Sequence, residues 1–403
     1  MITASRRLWT LAVVLVFALG ITLRTVPFAS FKGAGFDEVL YKAYVSQLLD
    51  RGLAHYPSIV EDYIDYQKTL KGSILPPMRF LYIGTSALWS WTSGAKPLTA
   101  LHQVASTFSI LMLGLTFGFM WRLAGRGAAL AVTALMACAP TQIHMSQHAL
   151  VDGFFAFWAV LALWLLWENL QSPRRTGLLV GYAMTLALMV TAKENAAFVF
   201  IAIVAILVAN RWLHFGTVNR PLVLATLLGP VAGALVLVTL AGGLENIFTC
   251  YILSVSKNYT LDFAIKTGDG PWYRYLVDLM LVSPLVLILA LGALFQLDRE
   301  RHRPQLYAAL FIAASYLVMC NLRYGMNLRY ANMWDAPLRL LAFTQIGLLA
   351  DRFAGKRREL WITLGVIALC AYDLRQYWIF AIQFDRFYEL VPDVLLRALH
   401  ILK

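Results

Sequence analysis

The sequence predicts an all-α integral membrane protein that crosses the bilayer about eleven times, with its N-terminus in the cytoplasm. Three observations carry this expectation. The 403 residues are 60% hydrophobic and only 14% charged, with a mean hydropathy of +0.66, so lipid must solvate much of the surface. Apolar runs recur at the length a spanning helix needs, roughly 20 residues for a hydrocarbon core about 30 Å thick and a rise of about 1.5 Å per residue. The short connections between these runs are alternately rich and poor in Lys and Arg, as inner and outer loops are.

Taken in order, the first run is 8–24, preceded by Arg6 and Arg7. A signal peptide opens in the same way, but no small-residue cleavage site follows, and Arg24, Pro27 and Phe28 come next. The run is therefore expected to be an uncleaved anchor that leaves residue 25 onward outside. The remaining runs are 98–121, 127–143, 151–170, 177–191, 196–212, 222–241, 275–297, 305–320, 336–349 and 360–371. Expected inner connections carry Arg122 and Arg126, Arg174 and Arg175, Arg211 and Arg220, Arg299, Arg301 and Arg303, and finally Arg352, Lys356, Arg357 and Arg358.

The expected layout is a transmembrane domain over 1–371 and a tail over 372–403 on the outer face. Two outer loops are long, 25–97 and 242–274, and the first is expected to carry surface helices because it mixes acids, aromatics and apolar stretches. One stretch, 77–91, is apolar enough to pass for a span. Counting it as one would put the later basic loops outside, so it is assigned to the outer leaflet surface. In the tail, Trp378, Phe380, Phe384, Phe387 and Tyr388 mix with Asp373, Arg375, Asp385, Arg386 and Glu389, the composition of an interfacial amphipathic helix.

The net charge of +12 is dispersed between apolar runs, where it signals topology and not a nucleic-acid partner. The four cysteines, Cys138, Cys250, Cys320 and Cys370, are widely spaced and form no CxxC pair, so neither a disulfide framework nor a zinc site is expected. No GxGxxG or Walker loop is present to cradle a nucleotide.

Four outer segments carry residues that could do chemistry. Gly35-Phe36-Asp37-Glu38, with Tyr41 at helical spacing, sets two carboxylates where the chain leaves the membrane; acids also favour a helix N-terminus. The connection 140–152 holds His144, His148 and Asp152, and an ionised Asp152 before a wholly apolar helix is costly enough to suggest a role. Spaced i, i+4, i+8, these three could share a helical face as metal ligands, although a fourth ligand is not evident. Thr191-Ala192-Lys193-Glu194-Asn195 reads either as part of a site or as a polar turn in which Lys193 and Glu194 neutralise each other. Lastly, Arg323, Arg329 and Tyr330, before Asp335, Pro337 and Arg339, put arginines on an outer loop, against the positive-inside trend. An anionic ligand would explain that, as would interfacial anchoring.

Together these segments resemble the GT-C superfamily of polyprenyl-phosphate-dependent glycosyltransferases, particularly bacterial relatives of the protein O-mannosyltransferases and of the lipid A aminoarabinose transferase. The likeness rests on Phe36-Asp37-Glu38 with Tyr41, on 146–152, on Thr191-Ala192-Lys193, and on Arg329-Tyr330 with Pro337. It implies a GT-C-type bundle with a large, partly helical first extracytoplasmic loop. It also implies Asp37 as catalytic base with Glu38 and Asp152 as further acids, and Lys193, Arg323, Arg329 and Tyr330 as contacts for the donor phosphate. Tyr41 and His148 would support them. Where family members often have His-Pro-Pro, this chain has Leu75-Pro76-Pro77, leaving Lys71 or Arg79 to substitute. His148 stands where arginine is usual.

The implied activity is transfer of a sugar, hexosyl or pentosyl, from a polyprenyl-phosphate carrier to a protein, lipid or glycan acceptor at the extracytoplasmic face of the inner (plasma) membrane. No cofactor is required by the resemblance, and a divalent cation is not indicated by it. The chemistry needs a carboxylate to take the acceptor proton and cations to stabilise the departing phosphate. The alternative is a transporter or lipid-linked-sugar flippase without catalytic activity.

Overall fold

A computed structural model describes residues 2–26, 34–323, 325–383 and 390–401. Pro27, Phe28 and Tyr324, and the tail residues Phe384, Asp385, Arg386, Phe387, Tyr388 and Glu389, lie outside the described residues. All regular structure in the described residues is helical. Five helices among them are long and apolar enough to cross a membrane, and two shorter ones are similarly apolar.

The first helix, α1 (Ile2–Thr25), packs along α5. Between them the first outer loop forms α2 (Phe36–Arg51), α3 (Tyr56–Thr69) and α4 (Phe80–Ser93), so the apolar stretch near 77–91 folds as its own short helix packed on α2 and α5. Helix α5 (Pro97–Ala137) runs through both the second and third expected spans. A straight 41-residue helix would extend about 60 Å, twice the hydrocarbon thickness. Gly125 breaks it: at φ 83° and ψ −174° the chain leaves the helical region, a conformation glycine adopts without a Cβ penalty.

Expected span 127–143 also ends early. Helix α5 stops at Ala137 and a separate α6 (Pro140–Ser146) begins, because Pro140 offers no N–H and disfavours helical geometry at the residue before it. Helices α7 (Val151–Gln171), α8 (Thr176–Ala192), α9 (Ala196–Leu213) and α10 (Arg220–Leu240) follow. Helix α7 lies between α5 and α8, and α10 packs on α8. That last contact is close because Gly229 and Gly233 face Ala183 and Ala187; a Cβ on Gly233 would come within 2.3 Å of the Ala187 carbonyl oxygen.

The second outer loop contains α11 (Leu244–Asn258) and α12 (Asp262–Thr267). The run 275–297, expected as one span, is split by Pro284 into α13 (Arg274–Val282) and α14 (Pro284–Leu294). Helix α15 (Arg303–Met319) packs on α9, and α16 (Asp335–Phe353) packs on α14, α15 and α5. Helix α17 (Arg358–Tyr377) runs past the expected end at 371, and α18 (Leu390–Ala398) closes the described chain.

Buried polar networks fix these helices where water is excluded. Arg24, at the end of α1, donates to Ser109 Oγ at 2.8 Å and to the carbonyls of Gly20, Met136 and Ala137. Arg339 on α16 donates to Asp335 at 2.7 Å and to Asp373 on α17 at 2.8 Å, while Asp335 also accepts from Thr141 and Gln142 of α6. The 3-10 turn Leu328–Trp334, which leads into α16, is thereby held against α6 and α7.

Candidate active site

The first turn of α2 carries both acids of the first outer loop, and the two have different surroundings. Glu38 is buried and reaches back to accept the Gly35 N–H at 2.7 Å, closing the helix N-terminus. Its other oxygen accepts the Ala149 N–H at 2.6 Å, lies 3.4 Å from His148 Nδ1 and 3.8 Å from His102 Nε2. Burial alone would raise this carboxyl, but the hydrogen bonds from His148, Gly35 and Ala149 outweigh it and hold it down at about 2. Glu38 thus fastens α2 to the connection between α6 and α7.

Asp37 is more open, and its Oδ2 accepts a hydrogen bond from Arg329 Nη1 at 3.2 Å. Arg329 is aimed by Asn327, whose side-chain oxygen caps the 3-10 turn by accepting the Arg329 N–H at 2.8 Å.

Asp152, in the first turn of α7, is buried against Lys193 in the turn between α8 and α9, and the two form an ion pair. The Lys193 ammonium also sits 3.9 Å from the centre of the Tyr330 ring. Burial pushes the Lys193 ammonium down to about 8, with Asp152 opposing. Burial likewise raises the Tyr330 hydroxyl to about 12, with Arg329 opposing.

A third pair adjoins these. Arg79 follows Leu75-Pro76-Pro77, a segment held by Tyr44 and Tyr56, whose hydroxyls donate to the Leu75 and Pro77 carbonyls. Its guanidinium meets Glu194 through two bonds and donates to the Tyr41 hydroxyl at 2.5 Å. Of the two readings of this segment, the polar turn in which Lys193 and Glu194 neutralise each other is not what forms: the turn sends the two side chains to different partners, Asp152 and Arg79.

The structure thus brings together Asp37, Glu38, Tyr41, Arg79, His148, Asp152, Lys193, Arg329 and Tyr330, from helices and turns remote in sequence. Of the two candidates to replace the missing histidine, Arg79 is buried in the cluster and Lys71 is exposed. Arg323 is also exposed, just beyond α15. His144, His148 and Asp152 do not share one helical face, because α6 ends at Ser146 and α7 begins at Val151. Among the described residues no group of three or more His, Cys, Asp or Glu side chains is gathered as metal ligands. Sequence reasoning missed His102, which stands beside Gln103 near the start of α5 with no local signal of its contact to Glu38.

Comparison with known proteins gives a fold. No protein-family profile and no curated protein matches the chain. Among solved structures, ArnT from Cupriavidus metallidurans bound to undecaprenyl phosphate aligns with 98% of this chain and 77% of its own, at a TM-score of 0.56 and 14% identity. The archaeal oligosaccharyltransferase AglB from Archaeoglobus fulgidus, in complex with an inhibitory peptide and a dolichol-phosphate, aligns with 97% of this chain at a TM-score of 0.59 and 12% identity. The chain spans about half of that enzyme, 56% of its length. The fold of this chain is shared with both, a likeness of architecture that the sequence resemblance implied.

Proposed function

We propose that this chain is a glycosyltransferase that moves a sugar from a polyprenyl-phosphate carrier to an acceptor at the extracytoplasmic face of the inner membrane. In this reading it crosses the bilayer about eleven times with the N-terminus inside, as the alternation of basic loops suggests. The observation that carries the proposal is the meeting of Asp37 with Arg329, beside the Asp152–Lys193–Tyr330 cluster. A carboxylate and two cations then lie at one site, the minimum that transfer from a lipid phosphate requires.

In this reading each side chain of the cluster has a part in the transfer. The acceptor's nucleophilic atom attacks the anomeric carbon of the sugar as its proton passes to Asp37. The bond from that carbon to the phosphate oxygen breaks on the opposite side, and the leaving polyprenyl phosphate keeps the electron pair. Arg329 and Lys193 meet its charge; arginine's planar fork suits two phosphate oxygens, and lysine acts as a point charge. Asp152 keeps Lys193 protonated in its buried position, and Tyr330 lines its other side. Glu38, fully engaged by backbone amides and His148, positions Asp37 and takes no proton itself. Arg79, Glu194 and Tyr41 brace the turn that carries Lys193.

The reading is supported by the fold, since ArnT and AglB were each solved with a polyprenyl-type phosphate. The test is to supply the purified chain in nanodiscs with a labelled polyprenyl-phosphate sugar and a membrane extract as acceptor. Donor-dependent label on an acceptor, with release of polyprenyl phosphate, is expected. Movement of intact labelled donor across a proteoliposome bilayer, with no polyprenyl phosphate released, would overturn the reading in favour of a carrier.

A further inference from the structure

Helix α11 (Leu244–Asn258) presents an apolar stripe on its outward side although its inward side is already packed on the core. The outward stripe is apolar at every turn: Leu244 is 55% exposed, Phe248 58%, Ile252 64%, Val255 57% and the following Tyr259 46%. The inward side packs Ile247, Cys250, Tyr251 and Leu253 on the core, Glu245 and Ser256 are exposed beside the stripe, and two polar side chains turn in toward the first outer loop. Ser254 faces Ser73 at 3.4 Å, and the Lys257 ammonium turns in to the carbonyls of Gln67, Lys68 and Leu70 at the end of α3. A helix with a continuous exposed apolar stripe and its cation tucked inward is solvated by something apolar.

We propose that α11 lies flat in the bilayer surface on the side of the candidate site, with this stripe in the lipid hydrocarbon. Continuity with α10 singles out lipid as the occupant. Helix α10 is long and apolar enough to span, and its exposed face of Leu224, Leu227, Leu228, Val231 and Leu235 is the kind of surface that lipid covers. At its end Gly242 and Gly243, at φ 76° and 138°, turn the chain through conformations that other residues rarely adopt, and α11 begins at once. The stripe therefore continues the lipid face of α10 around a corner. Beyond it Phe263 and Trp272 are exposed, with Trp272 at 61%, and with Tyr259 at the end of the stripe they supply aromatic side chains of the kind that settle at a membrane interface. At 15 residues with Glu245, Asn246 and Lys257 among them, α11 is too short and too polar to span.

The consequence reaches the site. Lys257 holds the end of α3, and α3 packs on α2, which carries Asp37. Lipid contact along α11 sets the height of the first outer loop relative to the membrane. This inference needs only the membrane character of the fold, so it stands or falls separately from the proposed transfer activity.

Site-directed spin labelling in nanodiscs of phosphatidylethanolamine and phosphatidylglycerol tests it. In a background with the native cysteines replaced, nitroxides are attached at Phe248→Cys, Ile252→Cys and Val255→Cys, with Asp65→Cys on the exposed face of α3 as the water control. Collision rates with oxygen and with a water-soluble nickel chelate are compared. The stripe positions should favour oxygen several-fold over the chelate, relative to Asp65→Cys. Chelate access equal to that of Asp65→Cys would overturn the proposal, and so would shielding from both reagents, the signature of a protein partner or a second copy. The three positions are read independently, so misfolding at one leaves the other two decisive.

Discussion

Arg329 donates a hydrogen bond to Asp37 at 3.2 Å across 292 residues of sequence, which joins the turn before α16 to the first turn of α2. In the proposed mechanism the same guanidinium has two anionic partners in succession, the base and the donor phosphate. Charge-assisted bonds of this kind are worth about 1.5–3 kcal/mol each. Arg329→Ala is expected to lower kcat/KM for the donor about 10- to 100-fold. Arg329→Lys should recover only part of the loss, because lysine lacks the planar fork. Steady-state kinetics with varied donor read both variants, and a donor kcat/KM in Arg329→Ala equal to wild type would remove Arg329 from phosphate binding.

Lys193 gives the site an alkaline limit. Burial lowers its ammonium from an ordinary 10.5 to about 8, so the cation that meets the phosphate is lost as pH rises through about 8. Arg329 stays charged throughout. The donor kcat/KM, which reports groups on the free enzyme, should therefore fall above pH about 8 while Arg329 still contributes. A profile flat from pH 7 to 9.5 would exclude Lys193 from the donor site.

Glu38 should matter to stability more than to chemistry. Its folded-state carboxyl is held at about 2 against an ordinary 4.5, so it stabilises the fold above pH 4.5, and that contribution is lost as pH falls toward 2. The difference corresponds to at most about 3 kcal/mol. Glu38→Gln should unfold at lower temperature than wild type at pH 7, with the gap narrowing as pH falls below 4.5. Thermal unfolding in detergent across that range measures it; a gap that is constant with pH would mean the carboxylate is not what stabilises.

The Arg79–Glu194 pair is expected to act as one unit. Removing either partner alone strands the other, whereas removing both does not. Arg79→Gln and Glu194→Gln should each cost about 1–2 kcal/mol, reduced by the partial exposure of Glu194, and the double variant should cost less than their sum. A double-mutant cycle on thermal stability that proves additive would show that the contact contributes nothing.

Much of this architecture was legible in the sequence because lipid imposes a simple rule: apolar runs of spanning length become helices, as α1, α7, α8, α9 and α10 are. Where the rule met a local backbone constraint, the expectation failed, as at Pro140 and Pro284, whereas the break at Gly125 falls in the expected connection between the second and third runs. The candidate site was legible residue by residue, since Asp37, Asp152, Lys193 and Arg329 stand out as charges bordering apolar segments. Their pairing was not. Neighbouring Lys193 and Glu194 looked like mutual partners, yet the turn between α8 and α9 sends them to Asp152 and Arg79, a direction set by tertiary packing alone. His102 had no signal, because its partner Glu38 is 64 residues away in sequence and meets it only through tertiary packing.

The central claim is that Asp37 takes the acceptor proton, and the rate of labelled-sugar transfer by Asp37→Asn tests it most directly. The amide keeps the size of the side chain and cannot accept that proton. Transfer should fall by about 10²-fold or more, with the protein folded and the donor still bound. A folded Asp37→Asn variant that transfers sugar at the wild-type rate would contradict the account.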